Sequence, residues 1–339
     1  MRGGEMRAVR LEAIGSLVLR EVEAPVAGRG EILVRVLAAG ICGSDRHMFH
    51  GEYPTGRPVT LGHEFCGLVE AVGEGVTGLS GGELVTVDPN VACGRCRACH
   101  EGRPNLCDNL LAIGVFRDGG FAEQVSVPAA QAHVLPAGLD PVHGAFCEPL
   151  ACCLHALDVA RIVPGSSVAI LGGGVIGLLM VQLARLAGAG TVVLVTRQAS
   201  RRTLALELGA TIAFDPNADD VIGSVGQGVD IVIECAGVPE TLQQGITMLR
   251  KGGTLVLFGV TPAGVQVPIS PFDLLVKEIR LEAAYLNPHT HGRAAAMVAS
   301  GVLELDRLVT HSVGLDEVAG IVGASPQRGE IKVIVRPQT

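Results

Sequence analysis

The stretch Leu171–Gly177, Leu-Gly-Gly-Gly-Val-Ile-Gly, lies near the middle of the chain and decides its fold. It fits the pattern G-x-G-x-x-G through Gly172, Gly174 and Gly177. The apolar run Ser167–Leu171 is typical of a buried strand, and Val175–Ala187 is long enough for a helix. A strand, a glycine turn and a helix start predict a cradle for the pyrophosphate of a dinucleotide, because free N–H groups and the helix dipole face the anion.

Around this turn, short apolar runs alternate with helical stretches. Six runs are strand candidates: Ser167–Leu171, Thr191–Val195, Thr211–Phe214, Val229–Ile233, Thr254–Phe258 and Ile279–Ala284. This alternation is typical of the α/β class and predicts a doubly wound parallel sheet, the Rossmann architecture, over residues 153–287.

The flanking segments have short strands broken by Gly, Pro and Ser instead. Their strand candidates are Met6–Leu11, Leu17–Glu21, Ile32–Ala38, Leu68–Val72, Gly120–Val127 and His133–Leu135. A loop is expected at Ala39–His47, a helix after Leu150, and two helices beyond Asn287. The last strand, Lys332–Val335, is expected to rejoin the first ones. A partly open β-barrel domain in two pieces, 1–152 and 288–339, is therefore predicted.

The bulk composition limits the function classes. At 339 residues with 48% hydrophobic residues, the chain is large enough for two cores. A net charge of −8 argues against a nucleic-acid surface. The chain has neither the apolar core of a signal peptide nor an apolar run long enough to span a bilayer, so a cytoplasmic protein without a membrane partner is expected.

Four of the ten cysteines crowd into one short segment, with the spacing C-x2-C-x2-C-x7-C: Cys93, Cys96, Cys99 and Cys107. Four thiolates this close can surround one ion tetrahedrally, which favours zinc, and an iron–sulfur cluster is the less favoured alternative. Because four protein ligands leave no open position, we expect a structural metal site.

A second set of metal-ligand residues is spread over three stretches: Cys42, His63, Glu64 and Glu148. Cysteine, histidine and glutamate suit zinc, and three ligands with an exchangeable fourth position make a catalytic site. Zn²⁺ with one thiolate and one carboxylate is formally neutral, so a bound alcohol can ionise easily. We therefore expect either Glu64 or Glu148 to yield its place to water or substrate.

Together these stretches resemble the zinc-containing medium-chain alcohol dehydrogenases, in particular the polyol (sorbitol-like), butanediol and threonine dehydrogenases. Gly40-Ile-Cys-Gly-Ser-Asp-Arg-His47 is similar to the family's G-I-C-G-[ST]-D-x-H, and Gly62-His-Glu-Phe-Cys-Gly67 to its G-H-E-x-x-G. The cysteine segment matches the structural-zinc loop, and Glu148-Pro-Leu150 matches the E-P-L of the linking helix. The resemblance covers nearly the whole chain and implies a GroES-like barrel beside a Rossmann domain.

The resemblance also implies roles for individual residues. Cys42, His63 and Glu64 would bind catalytic zinc, with Glu148 as fourth or alternating ligand. Ser44 would take the proton of the substrate hydroxyl, His47 would extend that relay, and Asp45 would orient the imidazole. The implied reaction is hydride transfer between a secondary alcohol, such as a polyol or diol, and a nicotinamide cofactor, giving a ketone or aldehyde. A homodimer or homotetramer is implied, and we favour the tetramer.

The residues expected to contact the cofactor are Gly172, Gly174, Val175, Ile176, Gly177, Thr196, Arg197, Arg202, Gly237 and Val260. NAD enzymes usually carry an acid at the end of the second strand of the sheet, where this chain has Thr196 followed by Arg197. Since an arginine can pair with a 2′-phosphate, we favour NADP and retain NAD as the alternative.

Another departure concerns the substrate. Sorbitol-type enzymes have an arginine near Leu286, so a smaller or less polar substrate than a sugar alcohol stays open. Two other functions also stay open. One is a zinc-independent quinone or enone reductase on the same fold, which the Cys42, His63 and Glu64 set opposes, and the other is a non-catalytic nucleotide-sensing protein.

Overall fold

The computed structural model describes residues 4–339, which form two compact units. One unit runs to Ala151 and resumes at Asn287–Thr339, and the other is Cys152–Leu286. Within the described residues, no helix combines the length and the apolar character needed to cross a bilayer.

The strands are β1 Glu5–Ala13, β2 Ser16–Glu23, β3 Glu31–Gly40, β4 Val59–Thr60, β5 Glu64–Val72, β6 Leu84–Val87, β7 Asn90–Val91, β8 Leu111–Ala112, β9 Gln124–Pro128, β10 Ala132–Val134, β11 Ser167–Leu171, β12 Thr191–Val195, β13 Ile212–Phe214, β14 Val229–Glu234, β15 Leu249–Leu257, β16 Arg280–Ala283, β17 Val309–Val313 and β18 Lys332–Val335. The helices are α1 Gly43–His50, α2 Arg97–His100, α3 Pro141–Gly144, α4 Cys147–Ala160, α5 Val175–Leu186, α6 Ala199–Glu207, α7 Val221–Ser224, α8 Pro239–Met248, α9 Pro271–Lys277, α10 His291–Ser300 and α11 Leu315–Gly323.

The discontinuous unit is built on a seven-stranded sheet of order β10-β6-β5-β3-β18-β17, with β9 paired to β3. A three-stranded sheet, β2-β1-β4, and the pair β7-β8 complete it. The buried residues of β3 alternate with half-buried ones, and Val34, Phe65 and Val333 belong to one buried core. Each such side chain contributes roughly 1.5–3 kcal/mol by burial.

The last strand rejoins this sheet, as predicted. Residues of β18 pair antiparallel with the end of β3, so that Ile334 lies opposite Gly40. The neighbouring strand β17 was not predicted, because its sequence Val-Thr-His-Ser-Val leaves several side chains exposed and lacks an apolar run. Its parallel pairing with β18 supplies the hydrogen bonds that keep it extended.

The second unit is the predicted doubly wound sheet. All six strands are parallel, in the order β13-β12-β11-β14-β15-β16. The order reverses between β11 and β14, which is where ligands bind at the carboxyl ends of the strands in such sheets. Strand β15 starts at Leu249, five residues before the predicted Thr254, because a bulged pairing extends it along β14.

Three local expectations were wrong. Ala39–His47 is not a loop throughout, because β3 continues to Gly40 and α1 begins at Gly43. Strand β9 begins at Gln124, because the preceding residues Gly119–Phe121 bond to the backbone of Thr60–Gly62 instead. Helix α4 already begins at Cys147, since a proline at position 149 is tolerated in a first helical turn.

Candidate metal centres and dinucleotide site

Helix α1 carries three of the predicted site residues, and Asp45 explains why a helix forms here. The Cys42 backbone N–H donates to Asp45 Oδ2 at 2.8 Å, which caps the first turn. Gly51 ends the helix in the left-handed conformation, with φ of 76°. This helix start was not predicted, although Ser-Asp after Cys-Gly is a recognisable signal for it.

Strand pairing brings the second stretch to the first. Strand β5 begins at Glu64, earlier than the predicted Leu68, and its first residue lies opposite Gly40 of β3. Because Cys42 follows Gly40 by two residues, His63 and Glu64 meet the start of α1 across the sheet. The ligand atoms of Cys42, His63 and Glu64 all lie within 4.8 Å of one another.

These three residues fit a zinc ion. Sulfur, imidazole nitrogen and carboxylate oxygen are its usual ligands, and a tetrahedral ion holds them roughly 3.5 Å apart. His63 Nδ1 lies 3.5 Å from Asp45 Oδ1, and both atoms are buried without a hydrogen-bonding partner among the described residues. A ligand on the other ring nitrogen would turn this facing pair into a donor and an acceptor. Burial would lower the pKa of His63, but Asp45 and Cys42 outweigh it and raise that pKa well above its usual range.

Glu64 has a partner that the sequence did not reveal. The Lys332 ammonium forms an ion pair with Glu64 Oε2, and both side chains are 1% exposed. Lys332 Nζ also donates to the Ile41 carbonyl at 3.2 Å. Burial would lower the pKa of Lys332, but the charges of Glu64 and Cys42 outweigh burial and raise it. A side chain on Gly40 would collide with both members of the pair, so a larger residue at this position would displace them.

Glu148 is not a member of the three-residue cluster. It is buried in the first turn of α4 and is 7% exposed. The group of potential metal ligands contains Cys42, His63 and Glu64 without it, although its charge contributes to the raised pKa of Lys332.

The expected proton relay is only partly assembled. Ser44 Oγ lies 3.3 Å from His63 Nε2, inside the cluster. His47 Nδ1 instead lies 2.6 Å from Glu52 Oε2, at the half-exposed end of α1. The structure thus brings Ser44 to the candidate ligands and places His47 on the solvent side of the same helix.

The four clustered cysteines converge as their spacing predicts. The sulfurs of Cys93, Cys96, Cys99 and Cys107 lie within 4.8 Å of one another. The Cys93 backbone N–H donates to Cys107 Sγ at 3.2 Å, and the Arg95 backbone N–H lowers the pKa of Cys93 to about 6. Donors aimed at sulfur favour thiolates, which are the form that binds zinc. All ten cysteines of the chain are free.

The glycine turn has the geometry of a dinucleotide cradle. Gly172 follows β11 with φ of 110°, and Gly174 caps α5. A side chain on Gly177 would strike the Gly172 carbonyl, whereas nothing lies within 4 Å of the corresponding position on Gly174. The last two cradle residues, Val175 and Ile176, open α5. The turn is therefore closed on its protein side and open on the side where the first N–H groups of the helix can receive an anion.

The end of β12 carries the residues expected to distinguish NADP from NAD. Thr196 is 8% exposed and packs against Gly173, while Arg197 is exposed. Arg202 donates to the carbonyls of both residues, at 2.8 and 2.9 Å. It also pairs with Asp215 at 3.0 Å. Arg202 thus holds the loop through its backbone carbonyls, whereas the Arg197 side chain is exposed.

Two further predicted residues lie at the carboxyl ends of β14 and β15. Gly237 has φ of 68°, and a side chain there would collide with the Val260 carbonyl. The Val260 side chain is 56% exposed. The two loops therefore touch each other, beside the point where the strand order reverses.

Comparison with known proteins connects these sites to characterised relatives. The family model of the alcohol dehydrogenase GroES-like domain matches residues 28–137, and that of the zinc-binding dehydrogenase matches residues 175–300. Sorbitol dehydrogenase of Bacillus subtilis is 31% identical over 98% of this chain and 97% of its own length.

Solved structures agree with these matches. A putative zinc-binding dehydrogenase of Sinorhizobium meliloti, bound to NADP, is 54% identical with a TM-score of 0.97, covering 98% of this chain and 100% of that one. The 2R,3R-butanediol dehydrogenase of Bacillus subtilis is 31% identical with a TM-score of 0.89, covering 98% of this chain and 99% of that one. The GroES-like and Rossmann folds that the motifs implied are thereby confirmed.

Proposed function

Because this chain belongs to the zinc-containing medium-chain alcohol dehydrogenase family, we propose that it oxidises a secondary alcohol, of the polyol or diol class, with NADP as hydride acceptor. The observation that carries this proposal is the convergence of Cys42, His63 and Glu64 to within 4.8 Å. A zinc-independent quinone or enone reductase does not need three metal-ligand residues at this position. A non-catalytic nucleotide sensor does not need a proton-accepting hydroxyl such as that of Ser44 beside them.

Cys42, His63 and Glu64 would hold the catalytic zinc, with Glu148 as the alternating ligand. When bound, the zinc supplies Lewis-acid chemistry that lowers the pKa of an alcohol or polarises a carbonyl. Cys93, Cys96, Cys99 and Cys107 would hold a second, structural zinc, since they leave no open position.

Side chains of the protein remove the proton of the substrate hydroxyl. Ser44 Oγ accepts the proton of the substrate hydroxyl while its own hydroxyl proton is passed on toward solvent. The hydride from the carbinol carbon goes to the cofactor, which leaves a ketone. Asp45 keeps the His63 ring oriented through Nδ1, at 3.5 Å. His47 lies at the exposed end of the same helix, where its contact with Glu52 suits the last step of proton release.

The Lys332–Glu64 pair supports Glu64 as the glutamate that exchanges. One carboxylate oxygen of Glu64 is engaged by the ammonium. Any metal at this site competes with the Lys332 ammonium for the Glu64 carboxylate. The Lys332 ammonium also offsets one negative charge, so that the Glu148 carboxylate can become a zinc ligand without making the site strongly anionic.

Preference for NADP is supported by the end of β12. Arg197 is exposed beside the Thr196 backbone, and within the described chain no acid stands at the position that would bind a ribose 2′-hydroxyl. The guanidinium can pair with a 2′-phosphate by two charge-assisted hydrogen bonds.

A homo-oligomer, with a tetramer favoured, is supported by one face of the second unit. Strand β16 is at the edge of the sheet, and α9 precedes it with Phe272 and Leu275 at 71% and 75% exposure. An unpaired strand edge beside exposed apolar side chains fits a second copy of the same edge. A cytoplasmic location is supported by the ten free cysteines, which suit a reducing compartment.

The test is turnover of an alcohol and polyol panel with NADP⁺. Secondary alcohols are expected to be oxidised, and the Cys42→Ala variant is expected to lose turnover while still binding NADPH. The matched control is Cys152→Ala, outside both cysteine sets. Unchanged turnover in Cys42→Ala would show that this cluster does not carry the reaction.

A further inference from the structure

A buried carboxylate lies at the point where the order of the parallel sheet reverses. Glu234 is the last residue of β14, pairs in register with Leu171 of β11, and is 2% exposed. The next residue, Cys235, donates its N–H to the Leu171 carbonyl at 2.8 Å. A side chain on Gly172 would come within 3.0 Å of the Ala236 nitrogen. Glu234 is thus adjacent to the first glycine of the dinucleotide cradle.

The Glu234 side chain fixes the loop that follows it. Its Oε1 accepts the N–H groups of Ala236 and Gly237, at 2.8 and 2.9 Å, and its Oε2 accepts the Gly237 N–H at 3.2 Å. The Thr241 hydroxyl donates to Oε1 at 2.7 Å. Three donors that make four hydrogen bonds to one carboxylate hold the loop in a single arrangement.

The same residue also holds the neighbouring loop. Its backbone carbonyl accepts from the Phe258 and Gly259 nitrogens, at 3.0 and 2.7 Å. A side chain on Gly259 would come within 2.6 Å of Glu234 Oε2. The loops that carry Gly237 and Val260 therefore share Glu234 as their common anchor.

The charge of Glu234 has no cationic partner. Within residues 4–339, no lysine, arginine or histidine nitrogen forms an ion pair with it. Asp230, in the same strand, shows the contrast, because it pairs with Arg250 at 2.6 Å. Neutral N–H and O–H donors stabilise the Glu234 carboxylate without cancelling its charge, so its field extends from the buried end of β14.

This charge lies on the side of the sheet that serves the second nucleotide. In a doubly wound sheet the dinucleotide crosses the reversal point, with one half at each group of strands. The first half belongs to β11–β13, where Arg197 is exposed, and the second half to β14–β16. The nicotinamide ring in that second half carries a positive charge when oxidised and loses it on accepting a hydride.

We propose that Glu234 is a positioning residue that also sets the redox preference of cofactor binding. Its carboxylate orders the loops at Gly237 and Val260, and its uncompensated charge favours the oxidised, cationic cofactor over the reduced one. This inference rests on the proposed dinucleotide binding.

The experiment measures Kd for NADP⁺ and for NADPH by titration calorimetry on the zinc-loaded protein. Glu234→Gln keeps the shape of the side chain and removes its charge. It is expected to raise the ratio Kd(NADP⁺)/Kd(NADPH) about three- to tenfold, a range consistent with one charge acting across roughly 10 Å of protein. Glu234→Asp is expected to weaken both forms alike and to leave the ratio within about twofold.

A second pair of variants removes the charge without touching Glu234. Thr241→Lys brings an ammonium to Oε1, whereas Thr241→Val removes the same hydroxyl and adds no charge. The ratio is expected to rise in Thr241→Lys as it does in Glu234→Gln, and to stay at the wild-type value in Thr241→Val. Since the phosphates of both cofactor forms are the same, attraction of the lysine for them cancels in the ratio.

The outcomes separate the two claims. If the wild-type protein binds neither NADP⁺ nor NADPH, the proposed function fails. If it binds both but the ratio stays constant in Glu234→Gln and Thr241→Lys, Glu234 has only a structural role and this inference is overturned. If Glu234→Gln does not fold, the Thr241 pair decides alone.

Discussion

Lys332 and Glu64 form an ion pair in the core of the first unit, with 1% of each side chain exposed. The two residues are 268 positions apart in sequence and meet because β18 and β5 flank β3. This pair connects the last strand of the chain to the candidate catalytic cluster, so the fold of the C-terminal segment and the chemistry of the site depend on each other.

Replacement of Lys332 by methionine should destabilise the protein by about 3–5 kcal/mol, because it leaves the Glu64 carboxylate buried and unpaired. Urea denaturation in the Cys42→Ala background measures this, because that background keeps the structural zinc site but lacks the metal that would itself engage Glu64. The control is Lys251→Met, an exposed lysine, which should change the free energy of unfolding by less than about 0.5 kcal/mol. Equal stability of the two variants would show that the ion pair contributes little.

Acid should destabilise the first unit through His291. Burial, aided by the His133 ring stacked at 5.0 Å, lowers the pKa of His291 to about 3. Below about pH 6.5 the His291 imidazole is protonated in the unfolded chain but stays neutral in the folded protein. The free energy of unfolding therefore falls as the pH falls between about 6.5 and 3. The loss attributable to His291 should reach roughly 2 kcal/mol at pH 5.

The variant that isolates this effect is His291→Gln, which cannot titrate. Its free energy of unfolding should be lower than that of the wild type at pH 7.5 but should fall less steeply toward pH 5. The nearby Asp88 carboxyl, whose pKa burial raises, is present in both proteins and cancels in the comparison. Parallel pH profiles would mean that His291 is not held neutral.

The preference for NADP⁺ over NAD⁺ should depend on the Arg197 side chain. Arg197→Ala is expected to weaken NADP⁺ binding by about ten- to a hundredfold and to leave NAD⁺ binding nearly unchanged, because it removes the partner of the 2′-phosphate alone. Arg202→Ala is expected to weaken both cofactors, since Arg202 holds the loop carbonyls of Thr196 and Arg197. A wild-type protein that prefers NAD⁺ would contradict this assignment.

Assembly should depend on the face formed by α9 and β16. Leu275→Glu places a charge in the middle of the exposed apolar side chains and is expected to shift light-scattering mass toward the monomer. Leu206→Glu, on α6 and 48% exposed, is the matched control and should leave the mass unchanged. An unaltered oligomer in Leu275→Glu would exclude this face as the interface.

The elements predicted from sequence were those fixed by local signals. The strand, glycine turn and helix around Gly172–Gly177 and the spacing of Cys93 to Cys107 depend on residues close in sequence, and both have the expected geometry. The capped start of α1 was also a local signal, carried by Asp45, but the glycines beside it concealed it.

What the sequence did not reveal depends on distant pairing. The partner of Glu64 could not be found, because a lysine that opens an apolar strand has no local feature marking it as buried. The role of Arg202 was similarly hidden, since its acceptors are backbone carbonyls and its ionic partner Asp215 comes from another strand end. Strand pairing in three dimensions creates both environments.

The proposed activity depends on Cys42, His63 and Glu64 binding a catalytic zinc in addition to the structural one. The most direct measurement is zinc per chain by mass spectrometry for the wild type and Cys42→Ala, each with NADPH binding measured in parallel. About two zinc ions are expected in the wild type and one in Cys42→Ala, with NADPH still bound. One zinc ion in the wild type, unchanged by Cys42→Ala, would contradict it.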